Sequence, residues 1–197
     1  MILNISNTDK EKMIIISRPA ISFCKSYLCK NPIGVEVGVF YGLHAIQIMN
    51  LLNPSILYLV DPYNYSNTSP ENNITSNQEA FNSVKKNVKE YPNVRFILQP
   101  SVLAADMFPD KYFDFVYIDA EHTYKAVKED VEAWLPKVRY NGVIAGHDFG
   151  MEEVKKAIRE VTIRSNSPEI NIYGNFYHFG DDWWFINNKY FKYNHLG

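Results

Sequence analysis

The sequence predicts an α/β protein with a doubly wound, mostly parallel sheet of seven strands that closes with an antiparallel C-terminal hairpin. Short apolar runs alternate with helix-length amphipathic segments, which is the pattern of a parallel sheet with helices on both faces. The last apolar runs are instead separated by short turns of Gly, Asn and Asp, which favour a hairpin. We expect one domain over residues 1–197, with N-terminal helices at about 8–30 and the core at about 31–197.

The strands are predicted where short apolar runs lie between turn residues. The first strand is Ile33–Val37, which runs into a glycine turn, and the second is Ile56–Val60, which Asp61 and Pro62 end. The remaining strand-like segments are 94–98, 113–118, 142–145, 170–173, 176–179 and 183–186.

The helices are predicted from amphipathic segments between these strands. Residues 8–30 indicate one or two helices with an interruption near Pro19, and Leu43–Leu52 follows the first strand. Further helices are expected at 78–90 and 151–163. The helix after the fourth strand has apolar residues at intervals of three and four, which indicate one buried face; they are Tyr124, Val127, Val131, Trp134 and Leu135.

Composition excludes several classes of protein. Twenty basic and 22 acidic residues give a net charge of −2, so the chain lacks the overall basic field of many nucleic-acid binders. Since no run approaches 18 apolar residues and no signal-peptide pattern is present, we expect a cytoplasmic protein without membrane contact. Cys24 and Cys29 would point to different faces of a helix, which disfavours a disulfide or a metal pair.

A turn rich in glycine follows the first strand. The strand carries Glu36, turns at Gly38 and enters a helix just after Gly42. Glycine allows a ligand to approach the backbone, and a helix N-terminus offers free N–H groups. The dinucleotide fingerprint G-x-G-x-x-G lacks its middle glycine here, and Leu43-His44 replaces the Gly-Lys-Ser/Thr of a phosphate loop. A cofactor site and a plain strand-to-helix turn both remain open at this point.

Acidic residues follow three of the strands. Asp61 follows the second strand, where an acid in such sheets accepts hydrogen bonds from ribose hydroxyls, although Asp-Pro also opens turns. Asp119 and Asp148 each follow a later strand, and adjacent parallel strands would bring them together. Because convergent carboxylates repel, a divalent cation that prefers oxygen ligands is a natural occupant. His122 can lean over the same point, and His147 adjoins it as a ligand or a supporting group.

Together these motifs resemble class I S-adenosylmethionine-dependent methyltransferases, which have a Rossmann-like fold. The resemblance rests on E-x-G-x-x-x-G, I-D-x-x-H-x-Y and H-D, covers roughly residues 33–163, and extends to the Asp-Trp-Trp-Phe segment near the end. The metal-assisted sugar O-methyltransferases of the macrocin and mycinamicin type are the most similar group. The resemblance implies O-methylation of a hydroxyl on a small molecule such as a sugar.

The same resemblance implies roles for individual residues. His122 would be the general base, and Mg²⁺ would bind Asp119 and Asp148, with His147 as a further candidate ligand. The S-adenosylmethionine site would include Glu36, Gly38, Gly42, Asp61 and Ser101.

The chain departs from that family at three positions. His147 stands where the macrolide sugar enzymes carry an acid, and Phe149 stands where catechol-type relatives carry Asn. His44 replaces a more usual Ser or Thr, which leaves open how the cofactor carboxylate is held. Ser101 is either a contact to the adenine or a cap of the following short helix.

Other interpretations and partners stay open at this stage. An inactive S-adenosylmethionine-binding module is one alternative, and an NAD-dependent oxidoreductase is a weaker one. Residues 63–77 are predicted to be either a lid or a disordered loop. The aromatic segment at 183–185 is predicted either to line an acceptor pocket or to belong to the core. We expect a small-molecule acceptor and no nucleic-acid partner. We also expect a homo-oligomer, because a chain with little lid of its own can complete its pocket from a neighbouring subunit.

Overall fold

The sequence places short β-branched and aromatic runs between turn residues, and each run forms a strand. The computed structural model describes residues 18–64, 77–163 and 176–188. The strands are β1 Ile33–Val37, β2 Ile56–Val60, β3 Val94–Ile97, β4 Phe113–Ile118, β5 Val138–Gly146, β6 Phe176–Phe179 and β7 Asp182–Asn187.

These strands form one sheet in the order β3-β2-β1-β4-β5-β7-β6. The pairs among β1 to β5 are parallel, whereas β7 runs antiparallel to both β5 and β6. The predicted fold class is therefore confirmed, including the C-terminal hairpin. The chain reverses its direction of travel across the sheet between β1 and β4, and open α/β sheets bind ligands at such a switch point.

Helices cover both faces of the sheet, as predicted for a doubly wound fold. Ile21, Ile48 and Val84 come from the first three helices and pack in one core cluster. Val131 and Ile158 come from later helices and pack in a second cluster on the opposite face. The helices are α1 Pro19–Tyr27, α2 Leu43–Leu52, α3 Asn77–Asn87, α4 Ser101–Ala105, α5 Tyr124–Trp134 and α6 Glu152–Ile163, with a 3₁₀ turn at Leu135–Lys137.

Two features of the prediction differ from the structure. Strand β5 is nine residues long and starts at Val138, whereas the apolar run predicts only 142–145. The half-buried Arg139 and the exposed Asn141 break the apolar pattern there, although Val138 already pairs with Phe113. The predicted interruption near Pro19 is the start of α1, where proline occupies the first turn.

Burial shows the place of the aromatic segment at 183–185 and of the two cysteines. Trp183, Trp184 and Phe185 are buried in β7, so this segment belongs to the core. Cys24 is buried, Cys29 is exposed, and both are free thiols. The part of the predicted N-terminal helices before residue 18, the predicted strand at 170–173 and most of the loop at 63–77 lie outside the described residues. Within the described ranges, no helix combines the length and apolarity needed to cross a membrane.

Candidate functional site

The site lies at the carboxyl edge of the parallel strands. Gly38 directly follows β1, Asp61 follows β2 and Asp119 follows β4, while Asp148 lies two residues beyond the end of β5. Because β2, β1, β4 and β5 are consecutive neighbours in the sheet, their ends meet along one edge. The topology therefore gathers four of the predicted site residues in one region.

Asp119, His122 and Asp148 form a cluster at this edge. Nε2 of His122 lies 2.9 Å from Oδ2 of Asp148 and 3.6 Å from Oδ1 of Asp119. One ligand atom from each of the three residues lies within 4.8 Å of the other two. His122 follows β4 closely and precedes α5, where Thr123 caps the helix by accepting from the N–H of Ala126.

The cluster is strongly charged. The carboxylates of Asp119 and Asp148 raise the pKa of His122 to about 10. Contacts with His122 and His147 hold the pKa of Asp148 well below its ordinary value. Burial raises the pKa of Asp119, but bonds from His122 and Arg18 outweigh it and leave that pKa lowered. In the free chain at neutral pH, His122 is therefore a cation between two anions.

The donor set of this cluster suits a divalent cation. Two carboxylate oxygens lie close enough together to share one ion beside the imidazole of His122, and Mg²⁺ prefers oxygen donors. Asp119 would offer Oδ1, which faces His122, because Arg18 binds its Oδ2. The two carboxylates therefore fit a divalent cation, and Nε2 of His122 lies next to that position.

His147 lies beside the cluster. Its Nδ1 is 3.3 Å from Oδ2 of Asp148, and its Nε2 is 4.0 Å from Oδ1 of Asp182. Its backbone carbonyl accepts a hydrogen bond from Nε1 of Trp183. Among the described residues, the group suited to a metal contains His122 and does not contain His147. The structure thus places His147 in contact with Asp148, and its role as a metal ligand stays a prediction.

Arg18 is part of this site and was not predicted from the sequence. Its Nη1 lies 2.6 Å from Oδ2 of Asp119 and donates to the hydroxyl of Tyr117 at 3.0 Å. That hydroxyl donates in turn to Oδ1 of Asp182 at 2.8 Å. Arg18 and Asp119 are 101 positions apart, and no local motif marks Arg18. The only sequence signal is a basic residue directly before a predicted helix interruption.

The turn after β1 is shaped by the protein backbone. Gly38 has φ of 81°, and a Cβ atom there would collide with the carbonyl oxygen of Asp119. Gly42 has φ of 74°, and a Cβ atom there would collide with Val84. Both glycines are therefore required by close packing within the chain, in addition to the predicted access for a ligand.

Asp61 fastens this turn to the end of β2. Its Oδ2 accepts from the N–H groups of Val39 and Phe40 at 2.9 and 3.0 Å, and its Oδ1 accepts from Tyr63 at 2.8 Å. Phe40 and Tyr63 both have positive φ, a conformation that costs roughly 1–3 kcal/mol in a non-glycine residue. The buried carboxylate of Asp61 thus holds two strained residues in place.

Glu36 and His44 form a buried pair beside the same turn. Nδ1 of His44 lies 3.1 Å from Oε1 of Glu36, and the His44 ring packs against Tyr117. Oε2 of Glu36 and Nε2 of His44 are buried and have no hydrogen-bond partner among the described residues. Glu36 lies on the face of the sheet that helices α1 and α2 cover. The pair is therefore buried beneath these helices, next to the turn.

Ser101 lies at the start of α4, away from the charged cluster. Its hydroxyl accepts from Nε1 of Trp134 at 2.9 Å and bonds to Asp130. Pro100, with no side-chain bond, holds the cap position of this helix, so Ser101 does not act as the cap. Its contact with an adenine stays a prediction.

The comparisons with known proteins agree with this fold. The family described as "Methyltransferase domain" matches residues 35–149 of this chain. None of the curated proteins matches the chain.

Solved structures resemble the chain at low sequence identity. A putative methyltransferase from Streptococcus mutans in complex with SAH has a TM-score of 0.60 and 12% identity, with 87% of this chain and 98% of that chain covered. A putative rRNA-methylase from Clostridium thermocellum has a TM-score of 0.60 and 10% identity, covering 86% and 94%. The mycinamycin-pathway methyltransferase MycE, in complex with Mg and SAH, has a TM-score of 0.59 and 14% identity, covering 93% and 49%. At these identities the likeness shows the fold alone.

Proposed function

Since this chain belongs to the methyltransferase-domain family, we propose that it transfers a methyl group from S-adenosylmethionine to a hydroxyl oxygen of a small molecule, with sugars as the favoured class. The observation that carries the proposal is the cluster of Asp119, His122 and Asp148 beside the Gly38 turn. An imidazole held between carboxylates at the ligand-binding edge of an α/β sheet suits proton removal from a hydroxyl.

The cofactor contacts are proposed from residues at the same edge. When bound, S-adenosylmethionine supplies a methyl group activated by a sulfonium. The turn from Gly38 to Gly42 offers backbone N–H groups at the start of α2, with Glu36 behind it. The Asp61 carboxylate would receive the ribose hydroxyls, since each of its oxygens can accept more than one hydrogen bond. Ser101 would lie near the adenine.

His122 is proposed as the general base at Nε2. A base must be neutral before it accepts a proton, and the two carboxylates raise the pKa of His122 to about 10. A divalent cation bound to Asp119 and Asp148 would offset their charge and so lower the pKa of both His122 and a bound hydroxyl. This coupling is why we propose the cation and the base together.

RNA is the competing acceptor class, because rRNA methylases are among the proteins of similar fold. The net charge of −2 argues against it, since binding the phosphate backbone depends on clustered Lys and Arg. A small-molecule acceptor therefore agrees better with the charge of this chain.

The test is binding followed by transfer. Calorimetric titration with S-adenosylmethionine should give saturable binding, and titration with NAD should give none. Radiolabelled methyl transfer is then measured on a panel of sugars and on RNA, with Mg²⁺ and with chelator. Transfer to a sugar hydroxyl would support the proposal. Transfer to RNA would contradict it and identify RNA as the acceptor. Binding without transfer to any acceptor would identify an inactive S-adenosylmethionine-binding module, whereas binding of NAD alone would identify an oxidoreductase.

A further inference from the structure

Arg18 reaches the charged cluster from outside the segment that matches the family. That segment covers residues 35–149, whereas Arg18 directly precedes α1. Its Nη1 lies 2.6 Å from Oδ2 of Asp119, and its guanidinium lies over the ring of Tyr117 with 5.4 Å from Cζ to the centroid. Ion pair and ring contact together fix the direction from which Arg18 approaches Asp119.

The position of Arg18 is itself fixed by a chain of buried bonds. Tyr117, which accepts from Nη1 of Arg18, is fully buried and donates to Oδ1 of Asp182. Oδ2 of Asp182 accepts from the backbone N–H of Ala20 at 2.9 Å, two residues after Arg18. Asp182 therefore holds in place both the hydroxyl that Arg18 binds and the backbone next to Arg18. This arrangement preorganises the arginine rather than leaving it as a mobile surface cation.

The contact decides which oxygen of Asp119 faces the rest of the cluster. Oδ2 is bound by Arg18, and Oδ1 is the atom that lies 3.6 Å from Nε2 of His122. The backbone of Asp119 is also fixed, because its N–H donates to the carbonyl of Val37 at 2.7 Å. Without Arg18, rotation about the side-chain bonds of Asp119 would remain available.

We propose that Arg18 is a positioning residue that holds Asp119 with Oδ1 toward His122, and that Tyr117 and Asp182 hold Arg18 in turn. The kinetic part of this inference rests on the proposed function, because it assumes that His122 acts on a bound hydroxyl. The geometric part does not depend on it. The active site is then completed by residues on both sides of the matched segment, Arg18 before it and Asp182 after it.

A matched control is available on the same strand. Arg139 lies 2.5 Å from Asp114 near the amino end of β4, whereas Arg18 pairs with Asp119 just beyond the carboxyl end. Arg18→Gln and Arg139→Gln thus remove the same kind of ion pair at opposite edges of the sheet. Tyr117→Phe is the second test variant, because it removes the hydroxyl that orients Arg18 and keeps all the charges.

The experiment measures kcat, cofactor affinity and the ¹H–¹³C resonance of the His122 ring at one fixed pH. Arg18→Gln should lower kcat about 10- to 100-fold, the penalty expected for a misplaced group, and should move the His122 resonance. Cofactor affinity should stay within about threefold, which separates positioning from binding. Tyr117→Phe should change kcat and the resonance in the same direction by a smaller amount. Arg139→Gln should change neither.

Two results would overturn the inference. One is a kcat for Arg18→Gln equal to that of Arg139→Gln, and the other is a His122 resonance that does not move in Arg18→Gln. Failure of the proposed function looks different, because the wild-type protein would then transfer no methyl group. The His122 resonance would still report on Arg18 in that case, so the two failures are distinguishable.

Discussion

Nδ1 of His44 lies 3.1 Å from Oε1 of Glu36, and the two side chains are only 7% and 1% exposed. Burial raises the pKa of Glu36 well above its ordinary value of 4.5 and lowers the pKa of His44 from 6.5 to about 3. Over a wide range of pH the folded pair therefore holds one proton in total, whichever of the two atoms carries it.

This pair predicts an optimum in stability. In the unfolded chain the two groups hold one proton together between about pH 4.5 and 6.5, none above that window and two below it. The free energy of unfolding should therefore fall as pH rises above about 6.5, by up to about 1.4 kcal/mol per pH unit, and also fall below about 4.5. Glu36→Gln should abolish the loss above pH 6.5 and shift the acid-side loss up to pH 6.5. Urea unfolding across this range measures both, and parallel profiles for the two proteins above pH 6.5 would contradict the shared proton.

His122→Ala should abolish most of the turnover. Loss of a general base lowers rates by about 10²- to 10⁴-fold, while cofactor affinity should stay within a few-fold because His122 is not among the proposed cofactor contacts. Steady-state kinetics and calorimetry with S-adenosylmethionine provide the two numbers. Lys125→Ala is the control, since Lys125 is exposed on the following helix. A large loss of cofactor binding would instead assign His122 a structural role.

Asp148→Asn should remove any dependence of the activity on Mg²⁺. The substitution halves the negative charge of the proposed cation site and replaces one oxygen acceptor with a donor. Activity is titrated with Mg²⁺ in chelator-treated protein for the wild type and the variant. If the wild-type protein is equally active in excess chelator, the cation is not needed and the proposed coupling with His122 is wrong.

Asp61→Asn should weaken cofactor binding by roughly 1–3 kcal/mol, the range for losing hydrogen bonds at a desolvated site. The amide has one acceptor oxygen, whereas the carboxylate accepts three backbone N–H bonds on two oxygens. The turn at Phe40 should loosen as a result. Calorimetry measures the affinity, and an unchanged dissociation constant would remove Asp61 from the cofactor site.

Asp130→Asn should stabilise the protein at neutral pH. Burial raises the pKa of Asp130 from 3.8 to about 6, so the folded state retains a proton that the unfolded state has lost. The resulting penalty grows between about pH 4 and 6 and reaches at most about 3 kcal/mol above that window. The variant should gain stability at pH 7.5 and little at pH 4 in urea unfolding. Glu129→Gln, on the same helix and half-exposed, is the control, and equal gains at both pH values would contradict the assignment.

The fold and the acidic edge of the site were predictable because they follow from local patterns. Apolar runs fix the strands, and parallel order brings the residues after β2, β4 and β5 to one edge. The convergence of Asp119 and Asp148 on His122 needed only this topology. The apolar pattern does not reveal the start of β5, because the polar residues Arg139 and Asn141 interrupt it between Val138 and Gly142.

Contacts between distant segments were not predictable in the same way. Arg18 precedes the sheet by a full helix, and its contact with Asp119 depends on how α1 packs over β5 and β7. The raised pKa of His122 depends on distances to two carboxylates that spacing alone does not give. The sequence pattern explains Gly38 by ligand access, whereas the structure adds that a Cβ atom there would collide with the Asp119 backbone, which no pattern reveals.

The position of Asp182 has a consequence for how the protein is made. Asp182 begins β7, the last described strand, yet it is the acceptor for Tyr117 and for the backbone at Ala20. A ribosome releases the chain from its N-terminus, so Arg18 and the whole matched segment emerge before this acceptor exists. The nascent protein can therefore form most of its sheet while the site is still incomplete. Any function that depends on the contact between Arg18 and Asp119 should therefore appear only after β7 has been synthesised.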